Sequence, residues 1–412
     1  MPELPRLAVF GNQTMLPIFD LVEAASGLCR IVWVVGWNED APSRILSRFG
    51  EVADVTGLDD SAVIEKLRGF QLNGIVVFSD AAMMLASVVA EGLGLRFHSQ
   101  RTATILSDKL LQRQALANAN IPGPAFAGVN LNNIASAKIP YPAVLKPRSG
   151  TGGRDTFLVR SIEDVSDALH RCAPSEEFIL EEWLPDKSNA DQLFSDVVSV
   201  ETVVREGHIE HITVTGRFLF APPFRETGSF MPSNLDQVEW DAALGLASAA
   251  IRAMDIGHGF IHTEVKMTPR GPRIIEVNGR LGGGIDDLIQ RLGGPSLNIW
   301  SMKLALGQDI GPIPALAKSP VAFIRIIVAP QLAKALESVD GVSALNALPG
   351  IDDVRLNAQP GSAFDSRTSS WVQNVLRING MVASHAELDQ LVNEQIASTL
   401  QLTWYYPSGD DA

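Results

Sequence analysis

Near the middle of the chain, Glu264 is followed by Glu276, Asn278 and Arg280, and then by Gly282, Gly283 and Gly284. Side chains alternate faces along a strand, so Glu276, Asn278 and Arg280 project to one side together. Across the turn at Pro269–Pro272, Glu264 can face Glu276 if the pairing centres on Arg270. That register requires an odd-length loop or a bulge. Two carboxylates so placed repel one another unless a cation lies between them. An oxygen-only ligand set without a His or Cys trio selects a hard cation, Mg²⁺ or Mn²⁺. Such sites usually leave their remaining positions to water and nucleotide phosphate. Arg280 would then neutralise charge on a transferred phosphoryl or an acyl phosphate. The glycines leave backbone amides open to a substrate oxyanion.

Two upstream stretches could complete a nucleotide site. Lys146 lies in an apolar strand and leads into a loop with Gly150, Gly152 and Gly153. Such a loop can close over a polyphosphate, its amides donating while the Lys supplies charge. A Walker A loop would need Gly-Lys-Ser/Thr at a helix start, and no such run exists. Downstream, Ile179–Pro185 ends an apolar strand with Glu181, Glu182, Trp183 and Leu184. Backbone there, flanked by apolar side chains, can meet a base edge. Each stretch alone also suits an ordinary hairpin or strand end; their order is the specific feature.

Lys109, Lys146 with its glycine loop, Glu181–Leu184, and then Glu264…Glu276-x-Asn278-x-Arg280 together resemble the ATP-grasp superfamily over about residues 1–310. Within it, the runs Ser195–Glu201, Arg225–Ser229, His262-Thr-Glu264 and Arg280-Leu-Gly-Gly283 are most similar to the L-amino-acid ligases of the bacilysin-synthetase group. The resemblance implies that Lys109 and Lys146 contact ATP phosphates and that Gly152 and Gly153 close over them. Glu181, Glu182, Trp183 and Leu184 would line the adenine. Glu264 and Glu276 would hold Mg²⁺, with Asn278 as a further ligand. Glu226, His262, Thr263, Arg280, Leu281, Gly282 and Gly283 would face the amino-acid substrate and its acyl phosphate, with Arg280 as the catalytic group. Asp196 is the candidate for the ribose, and Ser229 stands where the group carries a His. The implied protein is an ADP-forming carboxylate–amine ligase acting on small carboxylates and amines, and a homodimer is the family habit. A bicarbonate-activating carboxylase and a non-catalytic ATP-binding regulator are the alternatives.

The elements that must position these residues are legible as a sequence of lobes. Leu7–Phe10, Ile31–Val35 and Gly74–Phe78 read as buried strands with helices between them, a small parallel α/β domain over residues 1–105. Gly11-Asn12, after the first strand, is a place where such sheets accept ligands. Residues 106–195 comprise a linker helix, N-capped by Ser107, and a small α+β lobe that carries the mobile loop. Residues 196–315 form a larger antiparallel lobe with the metal and catalytic site, in which Pro222–Pro232 reads as an irregular loop. Residues 316–412 form a C-terminal α/β subdomain. The expected architecture is thus α/β and α+β, an ATP-grasp fold.

Composition agrees with this class. The 412 residues are too many for one ordinary core. Hydrophobic content of 46% with 19% charged residues describes a globular chain. A formal net charge of −14 argues against nucleic-acid or anionic-membrane partners. Cys29 and Cys172 have no metal-like spacing and suit a reducing compartment. The N-terminus lacks a basic segment followed by an apolar run, and the expected location is the cytoplasm.

Overall fold

The structure is a computed structural model that describes residues 3–10, 18–37, 43–187, 193–365, 367–370 and 372–406. Gly11-Asn12 and the middle of the 186–195 loop lie outside the described residues. In the N-terminal domain, β1 (Arg6–Phe10), β2 (Arg30–Val35), β3 (Glu51–Asp54) and β4 (Gly74–Val76) form a parallel sheet in the order β3-β2-β1-β4. Helices α1 (Ile18–Ala25), α2 (Ser43–Leu46) and α3 (Asp60–Arg68) make the crossovers, and α4 (Met83–Leu93) follows β4. Three of the strands were expected. The fourth, β3, has only Ala53 buried along its Glu-Val-Ala-Asp run, too little apolar signal to read as a strand.

Helix α5 (Gln100–Leu106) leads into α6 (Lys109–Asn118). The cap of α6 is Asp108, not Ser107 as expected. Asp108 accepts from the amides of Leu110 at 2.8 Å and Leu111 at 3.3 Å, while Ser107 closes the preceding helix. A carboxylate at this position also complements the helix dipole. The small lobe follows: β5 (Phe126–Val129), β6 (Ala143–Pro147), β7 (Phe157–Val159) and β8 (Phe178–Glu182), antiparallel in the order β5-β8-β6-β7. Helix α7 (Ile162–His170) covers it through Val165, Ala168 and Leu169, with Leu145, Phe178 and Leu180 beneath.

The remaining strands build one eight-stranded antiparallel sheet. It contains β9 (Phe194–Arg205), β10 (His208–Phe218), β11 (Gly228–Met231), β12 (Gly259–Thr268), β13 (Gly271–Asn278), β14 (Val321–Val328), β16 (Ile351–Leu356) and β17 (Asn374–Val382). Its order is β13-β12-β9-β10-β11-β14-β17-β16. Strands β15 (Ala335–Asp340) and β18 (Gln401–Tyr405) pair separately. The expected irregular loop Pro222–Pro232 therefore contains a strand. Its glycine and flanking prolines hide it in the sequence, yet a Cβ at Gly228 would strike the Ile324 carbonyl, so only glycine lets β11 approach β14.

One face of this sheet is apolar and carries α8 (Gln237–Ala253). Ala243, Ala247 and Ala250 recur at helical spacing and let the helix settle onto Val200, Val265 and Val277. Helices α9 (Ile285–Arg291) and α10 (Leu297–Ala305) follow the glycine turn and pack toward the N-terminal domain. The C-terminal strands β14, β17 and β16 continue the sheet begun by residues 196–315. Phe218 and Phe230 share one buried cluster with Phe323, Leu376 and Ile378. Replacing the fully buried Phe230 by Ala should therefore cost about 3–5 kcal/mol of stability, measured by denaturant unfolding. A loss below about 1 kcal/mol would mean the cluster does not join the two segments.

Candidate functional site

The opposite face of the large sheet is apolar where Val203, Met231, Phe260 and Ile324 meet α9 and α10, and polar beyond them, where its register sets the site. Glu264 pairs with Glu276 and His262 with Asn278 across β12 and β13. The turn itself is tight, with Thr268 opposite Gly271, and the register shifts between Glu264 and Val265, where Ile275 is the extra residue. The expected bulge is thus present in the strand and not in the turn. On the other side of β12, Glu201 lies opposite His262 and Ser199 opposite Glu264.

These carboxylates open into a cleft of about 350 Å³ between the small lobe and the sheet. Lys109, Lys146, Gly152, Gly153, Glu181, Glu182, Trp183, Leu184, Glu226, Glu264 and Glu276 all line it. Charged members of the lining that escaped sequence reasoning include Arg113, Arg154, Asp186 and Lys266. Lys266 Nζ lies 2.6 Å from Asp186 and 4.8 Å from the Trp183 ring centroid, which fixes the indole at the mouth. Asp196, the ribose candidate, instead accepts from the Lys187 amide at 2.6 Å.

Lys146 is buried and held by a carboxylate. Its Nζ lies 2.9 Å from Glu181, which also receives Arg113 Nε at 2.7 Å. Arg113 reaches across to the Ile275 carbonyl at 2.5 Å, joining the small lobe to the bulge. Burial pushes the Glu181 carboxyl up, but the two cations more than reverse this and hold it at about 2. Burial likewise depresses the Lys146 ammonium, with Glu181 opposing. The Glu181 side chain therefore anchors Lys146, leaving Glu182–Leu184 as the apolar and backbone wall.

Lys109 Nζ lies 3.0 Å from Glu276 and donates to the Gly150 carbonyl at 2.7 Å. Opposite it, the buried Arg217 on β10 lies 2.9 Å from Glu226 and 3.6 Å from Glu264. Burial pushes the Glu264 carboxyl up, while the Arg217 and Arg280 charges pull it back down. Arg217 and Glu201 were missed because alternation assigns their face but not their neighbours. Two influences compete for His262. Burial disfavours its charged form, yet the Glu201 carboxylate 2.9 Å from Nδ1 pushes its pKa up to about 9. Arg217 Nη2, a donor only, lies 2.9 Å from Nε2 and requires a lone pair there. The contact is the more direct observation, so in this geometry the ring is neutral and donates Nδ1–H to Glu201.

Several expected residues lie elsewhere. Thr263 is fully buried between Val200 and Val277 on the α8 side, because alternation turns it away from His262 and Glu264; it cannot face substrate. Asn278 is 4% exposed and outside the cleft lining. Arg280 donates to Asp80 of the N-terminal domain at 3.1 and 2.5 Å and to the Leu281 carbonyl at 3.0 Å. Leu281, Gly282 and Gly283 line a second cavity of about 400 Å³. Ser229 is buried in the row that pairs with Arg217.

The metal question turns on the donor set. Among the described residues, no three His, Cys, Asp or Glu side chains converge on a common point. Glu264 and Glu276, paired across β12 and β13, offer carboxylate oxygens to the cleft, which fits a hard cation that takes its other ligands from phosphate and water. An all-protein cage would not fit.

The C-terminal segment reaches over the glycine loop. The Ser370 amide and Oγ donate to the Gly152 carbonyl at 2.8 and 3.0 Å, and Ser370 Oγ accepts from the Glu226 amide at 3.2 Å. Ser369 Oγ donates to the Thr151 carbonyl, and the Asp155 amide to the Arg367 carbonyl. A Cβ at Gly153, whose φ is +72°, would press on the Phe224 carbonyl at 3.0 Å.

Comparison with known proteins agrees with this geometry. Residues 106–284 match the ATP-grasp domain family. An L-arginine-specific L-amino acid ligase of Bacillus subtilis is 25% identical over 338 residues, covering 77% of this chain and 78% of that protein. Carnosine synthase 1 of Gallus gallus is 26% identical over 275 residues, and the match covers 60% of this chain but only 28% of the larger protein. The crystal structure of an L-amino acid ligase from Bacillus licheniformis superposes with a TM-score of 0.78 at 18% identity, covering 98% and 100% of the two chains. Among the described residues, no helix is long and apolar enough to cross a membrane.

Glu181→Ala should leave Arg113 and Lys146 buried without a counter-charge and destabilise the protein by about 3–5 kcal/mol. Unfolding unchanged within about 1 kcal/mol would show that the triad is not buried in solution. Ser370→Ala removes one link to the glycine loop, worth about 0.5–1.5 kcal/mol. Its expected signature is a KM for ATP raised about 2- to 10-fold with thermal stability retained; an unaltered KM would detach the segment from the loop.

Proposed function

We propose, from the premise that residues 106–284 of this chain match the ATP-grasp domain family, that the protein is an ADP-forming carboxylate–amine ligase with an amino acid among its substrates. The observation that carries this reading is the cleft itself. Paired Glu264 and Glu276 face Lys109 and Lys146 beneath a glycine loop, and Glu226 adjoins them through Arg217. ATP is a substrate here. A substrate carboxylate oxygen attacks the γ-phosphorus, the bond to the β-phosphate oxygen breaks, and ADP leaves behind an acyl phosphate. An amine nitrogen then attacks the acyl carbon, phosphate departs, and one amine proton is lost as the amide forms. Neither step needs a covalent enzyme nucleophile, so the protein contributes positioning and charge.

In this reading Glu264 and Glu276, with Asn278 as a further ligand, would hold Mg²⁺, which when bound neutralises phosphate charge and polarises the transferred phosphoryl group. Lys146 is fixed by Glu181 and points its charge at a constant place. Lys109, tied to Glu276 and a carbonyl, can exchange its carboxylate for a phosphate oxygen. Arg217 spans Glu226 and Glu264 and offers a second buried charge at the reacting end. Similarity to an L-arginine-specific L-amino acid ligase supports the amide product over a carboxylated one. The same reading places the chain in the cytoplasm, where Cys29 and Cys172 stay as free thiols.

The decisive measurement is ADP and phosphate release from Mg·ATP with amino acids and small carboxylic acids, supplied singly and together, with products followed by mass. Release that needs two substrates, giving a product lighter than their sum by one water, is the expected result. Release with bicarbonate alone would overturn it in favour of a carboxylase. Glu276→Gln should lower turnover by more than the roughly 10- to 100-fold typical of losing a mere supporting partner of a metal ligand. Full activity of that variant at limiting Mg²⁺ would remove Glu276 from the metal site.

A further inference from the structure

We propose that the second cavity binds the amine substrate, that this substrate is an amino acid, and that Arg377 receives its carboxylate. This rests on the ligase reading above. The cavity of about 400 Å³ lies between α1, the Gly282–Gly284 turn and the strands β16 and β17, and it shares no lining residue with the nucleotide cleft. It is separate from the phosphate machinery yet touches the same sheet face.

Its cationic wall is the main observation. Arg377 and Arg355 are direct cross-strand partners on β17 and β16, an arrangement of like charges that costs stability unless something else requires it. Arg355 Nε turns to Asp353 at 2.7 Å. Arg377 Nε donates to Asn379 at 2.8 Å and its Nη2 to Asp287 at 3.0 Å. Asp287 is already shared with Arg291 Nε at 3.0 Å. Among the described residues, Arg377 Nη1 donates to nothing. Burial pulls this guanidinium below its ordinary range, with Asp287 only partly compensating. A partly buried cation with a spare donor on a cavity wall suits a carboxylate, which can accept two parallel N–H bonds from such a fork.

The other walls say how the ligand lies. On α1, Asp20 and Glu23 have no ion pair or side-chain hydrogen bond among the described residues. They face the arginines across the cavity, so the site is dipolar and unfavourable to an acceptor with an acidic side chain. The glycine turn forms the floor. A Cβ at Gly284 would come 3.9 Å from Arg377 Nη2, and one at Gly282 would run into His262 Nδ1. The turn therefore leads from the spare cation to the catalytic face. A ligand held at Arg377 and lying along bare glycine backbone directs its other end toward His262 and Glu264. Asp286 acts differently, because it accepts from the Asn298 side chain at 2.8 Å and from the amides opening α10, and so fixes the turn.

The test separates this inference from the ligase reading by using three acceptors with the wild-type enzyme and with Arg377→Ala: an amino acid, its carboxamide, and hydroxylamine. Hydroxylamine nitrogen displaces phosphate from an acyl phosphate without needing a carboxylate site. Wild type should prefer the amino acid over its carboxamide by about 10- to 100-fold in kcat/KM, the range for a charged hydrogen-bonded contact. Arg377→Ala should lose that preference through KM for the acid, while KM for ATP and hydroxamate formation stay within about twofold. Arg377→Lys should recover part of the preference, which a merely structural role would not predict. No hydroxamate from wild type would sink the ligase reading itself. Hydroxamate from both proteins with an undiminished preference in Arg377→Ala would overturn the present inference alone, as would a variant that loses hydroxamate formation along with ligation.

Discussion

The cost of holding charge in a dry place governs this structure. A cation or carboxylate taken out of water must be met by an opposite charge or by several hydrogen bonds, or it neutralises. The charged groups around the site obey this almost throughout. Arg113 and Lys146 share Glu181, Arg217 bridges Glu226 and Glu264, His262 donates to Glu201, and Arg280 is held by Asp80. Each pairing also fixes a side chain before substrate arrives. Donors already oriented toward a developing charge need no reorganisation when it forms, and that is the form of catalysis a phosphoryl-transfer site requires.

Those pairings also tie the lobes together. Arg113 leaves the linker helix, meets a carboxylate of the small lobe and ends on the carbonyl of the bulged Ile275. His98 and Asp80 of the N-terminal domain brace Gly279 and Arg280 where β13 runs out. Ser370 and its neighbours cross from the C-terminal segment to the glycine loop. The C-terminal strands meanwhile extend the large sheet and supply Arg355 and Arg377 to it. Residues 316–412 thus touch both the glycine loop and the wall of the second cavity.

Much of this was legible in the sequence because strand alternation is a local rule. It placed Glu264 against Glu276 and required the bulge, and the order of Lys109, Lys146 and the glycine loop located the cleft. The same rule, taken with the register, disqualifies Thr263, which the motif alone would keep. Register is not local. Nothing between Thr213 and Phe218 says that Arg217 will stand beside two carboxylates, since its partners come from β12 and the loop before β11. The hidden strand β11 and the cap at Asp108 were obscured differently, by prolines and glycine in one case and by two adjacent capping residues in the other. Glu181 shows a third limit. Its place at a strand end suggested the nucleotide base, whereas its burial between two cations makes it an anchor.

The cations differ in how tightly they are held, and that difference orders their parts. Arg280 donates to a carboxylate through two nitrogens and to a carbonyl through the third, so it has no guanidinium nitrogen without an acceptor. Giving up Asp80 would leave a buried charge on both sides, which is expensive. Lys146 is similarly fixed by Glu181. Lys109 is only partly buried, and a carboxylate that is itself a candidate metal ligand holds it. A divalent cation drawn to Glu276 would repel that ammonium, and the phosphates arriving with the cation would attract it. The exchange would leave Glu276 free to hold the metal. Arg217, which already touches Glu264 and Glu226, can shift between carboxylates without leaving the face. In the proposed reading, exchange of charge in this cleft therefore falls to Lys109 and Arg217, set among cations already paired.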